Sequence, residues 1–176
     1  MKIIKTKFKN LLVFKSKNFY DNRGYFRELA IEKLIKQKLI FTVVSKSKKN
    51  VLRGLHMQKK FQQGKYISVV KGKILDVVVD CRKKSKTFGK HFAIKIKHDS
   101  NFSIYIPEGF AHGFVCLSKS CTIYYRCTNY RHKQSETTLR WNDPKLKINW
   151  RVKKPILSKK DRNGKLLYEI QKHLLF

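Results

Sequence analysis

The residues with the most chemistry in them fall in two short stretches, Arg53-Gly54-Leu55-His56-Met57-Gln58 and, shortly after, Gln63-Gly64-Lys65. An imidazole titrates near neutral pH. A histidine set between two cations in a strand-like run therefore suits abstraction of a proton from a carbon acid carried on an anionic substrate. On residue type alone a packed, hydrogen-bonded core histidine is the commoner outcome for His56, so its company has to decide. A second constellation, Ile106-Pro107-Glu108-Gly109-Phe110-Ala111-His112-Gly113-Phe114, places another histidine just after a turn and at the opening of a strand.

The elements that must position these groups are β-strands. Val51 to Gln58, Tyr66 to Val70, Lys73 to Cys81, Phe92 to Lys97, Phe102 to Ile106, Gly113 to Leu117 and Thr122 to Thr128 alternate with period two and are rich in Val, Ile, Phe and Tyr. Lys71-Gly72 and Asp99-Ser100-Asn101 are turns between them. Many short strands at close spacing predict an all-β sandwich or barrel. Helix is expected only at the periphery, over Glu32 to Leu39 and Leu166 to Leu175, and the chain turns irregular after Thr128. A length of 176 residues suits one domain over residues 1–176 with one sizeable core.

The formal net charge is +31, from 42 Lys and Arg against 11 Asp and Glu. Such an excess first suggests a polyanion partner such as nucleic acid. Here it is mostly lysine, spread from Lys2 to Lys172 without a long basic tract, and reads better as a lysine bias on solvated faces. Cys81, Cys116, Cys121 and Cys127 sit in apolar strand-like runs without metal-ligand or disulfide-framework spacing, which predicts reduced thiols in a cytoplasmic protein. No apolar stretch reaches the roughly 18 residues of a membrane span.

The segment from Ile106 to Phe114 resembles the second sequence motif of cupins, in which the histidine is a metal ligand inside a jelly-roll barrel. The first cupin motif would need His-x-His, and the corresponding stretch reads His56-Met57-Gln58. An amide replaces one imidazole, so a metal would lack its usual donor set, and a metal-free barrel is expected.

A more specific resemblance covers most of the chain. Asp21-x-Arg23-Gly24-x-Phe26-x-Glu28, Val51-Leu52-Arg53-Gly54-Leu55-His56, Gln63-Gly64-Lys65, Asp76-Val77-Val78-Val79-Asp80, Thr87-Phe88-Gly89, the Ile106–Phe114 segment, Trp141-Asn142-Asp143-Pro144 and Leu157-Ser158-x-Lys160-Asp161 occur in the order and near-spacing of the dTDP-4-dehydrorhamnose 3,5-epimerases. The resemblance implies a metal-free cupin-type jelly roll with short peripheral helices, homodimeric and without a cofactor. Its substrate would be a nucleoside diphosphate sugar with a 4-keto group. The ketone acidifies both flanking carbons, so a base can lift a proton to give an enolate and an acid can return one to the opposite face.

It also implies roles. His56 matches the base and Asp161 the carboxylate that orients it. Lys65 matches the cation beside the enolate oxygen, and Tyr125 the acid on the other face. Strand alternation sends Tyr124 and Tyr125 to opposite sides, so Tyr124 is expected to pack elsewhere. Arg23 and Arg53 match diphosphate-binding positions, whose guanidinium forks fit phosphate oxygens. Glu28, Tyr130 and Glu136 match residues at the nucleotide end or the wall contributed by a second subunit. Gln58, His112 and Lys160 complete the expected substrate-binding set, with Asp76 and Asp143 in the polar floor.

The chain departs from the family in one segment. Members carry a Gln and an Asn shortly before the Ser-x-Ser of the strand preceding Arg53, where this chain reads Ile40-Phe41-Thr42-Val43-Val44-Ser45-Lys46-Ser47. Two amides that would contact nucleotide and sugar are missing. Three readings follow: a two-carbon 3,5-epimerase, an epimerase of one carbon or of another nucleoside diphosphate 4-keto sugar, and a basic binding module without turnover. The intact set of His56, Lys65, Tyr125 and Asp161 disfavours the last.

Overall fold

The computed structural model describes residues 1–172 and 174. In chain order its strands are β1 (Lys2–Lys5), β2 (Leu12–Lys15), β3 (Phe19–Asp21), β4 (Gly24–Phe26), β5 (Phe41–Lys48), β6 (Leu52–Gln58), β7 (Lys65–Lys71), β8 (Lys73–Asp80), β9 (His91–Lys97), β10 (Phe102–Ile106), β11 (Phe110–Cys116), β12 (Ser120–Cys127) and β13 (Glu136–Thr138). The α-helices among the described residues are short: α1 (Glu32–Ile35), α2 (Lys159–Arg162) and α3 (Leu167–Gln171).

Two antiparallel sheets face each other, one in the order β1-β2-β10-β7-β12-β5 and the other β13-β6-β11-β8-β9. Sequence neighbours such as β11 and β12 lie in different sheets, which makes this a cupin-type jelly roll. β8 shows why its sequence is almost continuously apolar. Ile74 and Val78 pack between the sheets against Ile67, Ile104 and Ile123, while Leu75, Val77 and Val79 pack outward beneath Leu146, Trp150, Leu167 and Ile170 of the C-terminal segment. With both faces covered, Asp76 is a buried polar interruption on the inner face. The outer face of the first sheet is covered in part by Ile35 and Leu39 against Phe14, Tyr66 and Tyr105.

Several elements differ from expectation. The helix over Glu32 to Leu39 stops at Ile35, because Lys36 adopts a left-handed conformation (φ 58°) and the Glu32 carboxylate accepts from the Leu39 N–H. The C-terminal helix runs only to Gln171, and the expected end at Leu175 lies outside the described residues. β1, β3 and β4 escape the alternation test because lysines and exposed aromatics interrupt it, every residue of the three being exposed, and β2 escapes it because its short Leu12–Phe14 run is continuously apolar. All four cysteines are free and buried.

Candidate active site

The space between the sheets grades from apolar to polar along single strands. On β7 the inward residues run Val69, Ile67, Lys65; on β12 they run Cys121, Ile123, Tyr125, Cys127. Tyr124 alternates to the other face, as its neighbour's position requires. The polar end opens as a cavity of about 540 Å³ into which β5 sends Phe41, Val43 and Ser45, β6 sends Arg53 and His56, and β11 sends His112 and Phe114.

Arg53 and His56 are three residues apart, a spacing that would put them on opposite faces of a regular strand. A β-bulge reconciles them. His56 pairs with His112 and Arg53 with Phe114, so three steps on β6 match two on β11. The extra residue falls at Gly54, whose φ of +125° suits glycine, and a Cβ there would lie 2.5 Å from the Gly113 Cα. Gly113 is constrained in turn, since its own Cβ would meet the Arg53 carbonyl oxygen at 2.7 Å. The glycines of the two motifs thus meet at the crossing that aims both side chains into one cavity.

His56 Nε2 bonds Asp161 Oδ1 at 2.5 Å. Asp161 sits in the first turn of α2, where its N–H is bonded to the Ser158 hydroxyl at the N-cap. Burial pushes the Asp161 carboxyl up, but hydrogen bonds from His56, Ser158 and the Gly54 N–H outweigh it and hold the pKa below the usual value. Behind this pair, His112 Nε2 lies 2.8 Å from Asp76 Oδ2, with both residues buried. Burial lowers the His112 pKa against the opposing pull of Asp76. The second oxygen of Asp76 is buried without a hydrogen-bond partner among the described residues.

On the facing sheet, Tyr125 Oη lies 3.3 Å from Ser45 Oγ, and burial pushes the phenol well above its usual pKa. Lys65 pairs with Cys127 in the β7–β12 register and presents its ammonium to the cavity. Burial lowers its pKa, and the charges of Glu136 and Asp76 offset part of that shift.

Arg53 stands nearer the mouth, its Nε donating to Ser47 Oγ (3.0 Å) and its Nη2 to the Lys46 carbonyl (3.2 Å). Glu136 is clamped by Arg131 Nε and Lys160 Nζ, each at 2.6 Å, and Arg131 foremost pushes its carboxyl down to about 2. Phe41 and Val43 form an apolar wall where the resemblance implies amides, and the ring of the exposed Tyr130 lies 5.8 Å from that of Phe41.

Some expected site residues are not brought to this cavity. Gln58 is buried with its amide spent on the chain: it donates to the Phe61 and Tyr130 carbonyls and accepts from the His132 N–H. It fixes the loop beside the mouth, with both amide hydrogens given to backbone carbonyls. Arg23 and Glu28 are exposed on and beside the β3–β4 hairpin, a separate two-stranded sheet, and Arg23 is paired to Asp21 at 2.6 Å. Asp143 caps the loop before α3 by accepting from Lys145 and Leu167 N–H groups. Residues that sequence reading left without a role also appear. Ser45, Ser47 and Ser158 each bond a cavity group, and Arg131 faces Glu136; the Ser-x-Ser and Leu-Ser-x-Lys-Asp motifs were the available signal for the serines.

Across this cavity the His56 imidazole on one sheet, held by the Asp161 carboxylate of α2, faces the neutral Tyr125 phenol on the other, with the Lys65 ammonium in the same cavity. Groups so placed can take a proton from one face of a carbon and return one to the opposite face, the chemistry of a cupin-class epimerase. The sequence model of the dTDP-4-dehydrorhamnose 3,5-epimerases matches residues 5–169. A dTDP-4-dehydrorhamnose 3,5-epimerase of Salmonella typhimurium is 42% identical over 175 residues, covering 95% of this chain and 96% of the relative. The crystal structure of dTDP-6-deoxy-D-glucose-3,5-epimerase from Legionella pneumophila, in complex with dTDP-4-keto-L-rhamnose, superposes with a TM-score of 0.94 at 38% identity, covering 98% of this chain and 96% of that one. ChmJ, a 3′-monoepimerase from Streptomyces bikiniensis in complex with dTDP-quinovose, gives 0.89 at 27% identity, covering 96% and 90%. The chain belongs to the dTDP-4-dehydrorhamnose 3,5-epimerase family.

Proposed function

We propose that this chain inverts C3 and C5 of dTDP-4-dehydro-6-deoxy-D-glucose to give dTDP-4-dehydro-L-rhamnose, with His56 as base and Tyr125 as acid. The observation that carries the assignment is their placement on opposite sheets of one cavity. With Nε2 engaged by Asp161, Nδ1 is the nitrogen free to take the substrate proton. The electron pair of the broken C–H bond passes to the C4 oxygen, where the Lys65 cation stabilises a charge that exists in the enolate and not in the ketone. Tyr125 keeps its proton at neutral pH because burial disfavours the phenolate, and it delivers that proton to the far face of the carbon. Both flanking carbons are acidified by one ketone, so one base and one acid serve both inversions. Arg53 binds the diphosphate, and the Lys160–Glu136–Arg131 cluster lines its approach.

We place Arg23 and Glu28 at the mouth of a second copy's cavity, in a cytoplasmic homodimer. Phe19 (51% exposed) and Phe26 (68%) on the hairpin are poor solvent neighbours and would be covered there. The apolar Phe41–Val43 wall keeps a second reading in play, inversion at one carbon only or action on another nucleoside diphosphate. The higher identity to a 3,5-epimerase than to the 3′-monoepimerase favours two. Proton NMR in deuterium oxide with dTDP-4-keto-6-deoxyglucose decides: exchange at both C3 and C5 is expected, and exchange at one carbon alone would establish the second reading. Sedimentation would give a dimer, and a monomer with full activity would remove the hairpin from the site.

A further inference from the structure

The Ser-x-Ser pair of β5 has no part in the reaction as described. Ser45 and Ser47 are two residues apart on one strand and therefore share its inward face. Each bonds a different working group: Ser47 Oγ accepts from Arg53 Nε, and Ser45 Oγ lies 3.3 Å from Tyr125 Oη. In the β5–β12 register Val43 stands opposite Tyr125 and Ser45 opposite Ile123, so the serine reaches the phenol diagonally, at the far end of the ring. Among the described residues the Tyr125 hydroxyl has no other hydrogen-bond partner. The titratable groups near it are the His112 ring, edge-on at 6.4 Å, and Asp76, Arg53 and Cys121, none of which bonds the oxygen.

We propose that Ser45 is a positioning residue for the acid, aiming the Tyr125 hydroxyl and donating a hydrogen bond to the phenolate formed when Tyr125 gives up its proton. The inference rests on Tyr125 being the acid. In that step the enolate's electron pair forms the new C–H bond, the O–H pair stays on Tyr125 Oη, and Ser45 keeps its own proton. Afterwards His56 releases its extra proton to solvent and the phenolate regains one, so the site is reset. A hydrogen bond to a charged oxygen is stronger than one to a neutral phenol, so Ser45 acts most where the phenolate develops. It does nothing for proton removal by His56, which lies on the opposite sheet.

The test compares wild type, Ser45→Ala, Ser45→Thr and Tyr125→Phe by proton NMR in deuterium oxide with dTDP-4-keto-6-deoxyglucose, measuring C–H exchange and product formation separately. Ser45→Ala should keep exchange and KM near wild type while inversion falls roughly tenfold to a hundredfold. Ser45→Thr, which restores the hydroxyl on a strand-favouring residue, should recover inversion. Tyr125→Phe should lose inversion more completely than Ser45→Ala. Wild-type inversion in Ser45→Ala beside lost inversion in Tyr125→Phe overturns the role of Ser45 alone. Full inversion in Tyr125→Phe overturns the acid assignment beneath it. Equal loss of exchange and inversion in Ser45→Ala, the mark of a distorted strand, also overturns the proposal.

Discussion

Replacing Asp161 by Asn tests the His56 pair with the least change of shape. The carboxylate is almost fully buried, with its residue 3% exposed, and takes the imidazole Nε2 at 2.5 Å. Loss of a hydrogen bond to a charged partner costs about 1.5–3 kcal/mol, or about tenfold to 150-fold in rate if it acts in the transition state. The amide adds a second effect. It can turn its NH2 toward Nε2, which moves the ring proton to Nδ1 and leaves no lone pair facing the substrate. In a serine-protease triad the same exchange costs about 10⁴. Asp161→Asn should therefore lower the exchange rate of the substrate C–H by about 10² to 10⁴, with dTDP affinity by calorimetry unchanged, because Asp161 lies behind the imidazole and not at the diphosphate end. A folded variant that exchanges within about threefold of wild type would refute the view that the carboxylate sets the tautomer and charge of His56.

Gly54→Ala should destabilise the fold by about 2–4 kcal/mol, since the new Cβ meets backbone atoms of β11 at 2.5 Å and the residue holds a positive φ; urea unfolding measures this, and a loss under about 0.5 kcal/mol would show the bulge to be pliant. The Glu136 clamp has a definite pH signature. Its pKa is pushed from 4.5 to about 2 in the folded chain, so its stabilising effect is complete above about pH 4.5 and disappears as pH falls through about 2. Glu136→Gln should thus unfold at lower urea than wild type near pH 7, with the gap closing in acid; a gap that widens in acid contradicts the ion pairing. Exhaustive chelation should leave turnover intact, because the His56 and His112 imidazoles are each bonded to a carboxylate, and an amide, Gln58, stands where the cupin motif has a further histidine; activity lost to chelator and restored by one ion would put a metal in the reaction.

What the sequence made legible follows from which signals are local. Strands buried on one or both faces announced themselves by alternation, and β7, β8 and β10 to β12 lie within a few residues of expectation. β1 and the β3–β4 hairpin did not, because their exposed faces carry lysines and aromatics that mimic loop composition. The glycines were legible as part of motifs, but the bulge needs the β6–β11 register, which no single stretch encodes. Gln58 shows the opposite failure. It sits two residues from His56 and so shares its strand parity, yet three backbone groups from the Phe61 and Tyr130–His132 loops consume its amide. Hydrogen-bond demand from a loop distant in sequence is invisible until the fold closes.

The charge argues the same division between surface and site. Of the 11 acidic residues, Asp76, Asp80, Asp143 and Asp161 are buried, and three of these four are fully committed. Asp80 accepts from Arg82, Ser85 and Thr87. Asp143 accepts backbone N–H groups, and Asp161 holds His56. Asp76 serves His112 with one oxygen and leaves the other buried and without a hydrogen-bond partner among the described residues, within electrostatic reach of Lys65. An unpaired buried carboxylate oxygen is costly in a resting protein. Its attraction to the Lys65 ammonium offsets part of that cost. The lysine excess, by contrast, lies on solvated strand edges and loops, where screening within about 10 Å makes each charge nearly independent of the cavity. Three of the four buried acids thus have a hydrogen-bonding reason to be where they are, while most of the +31 lies on the solvated surface away from the cavity.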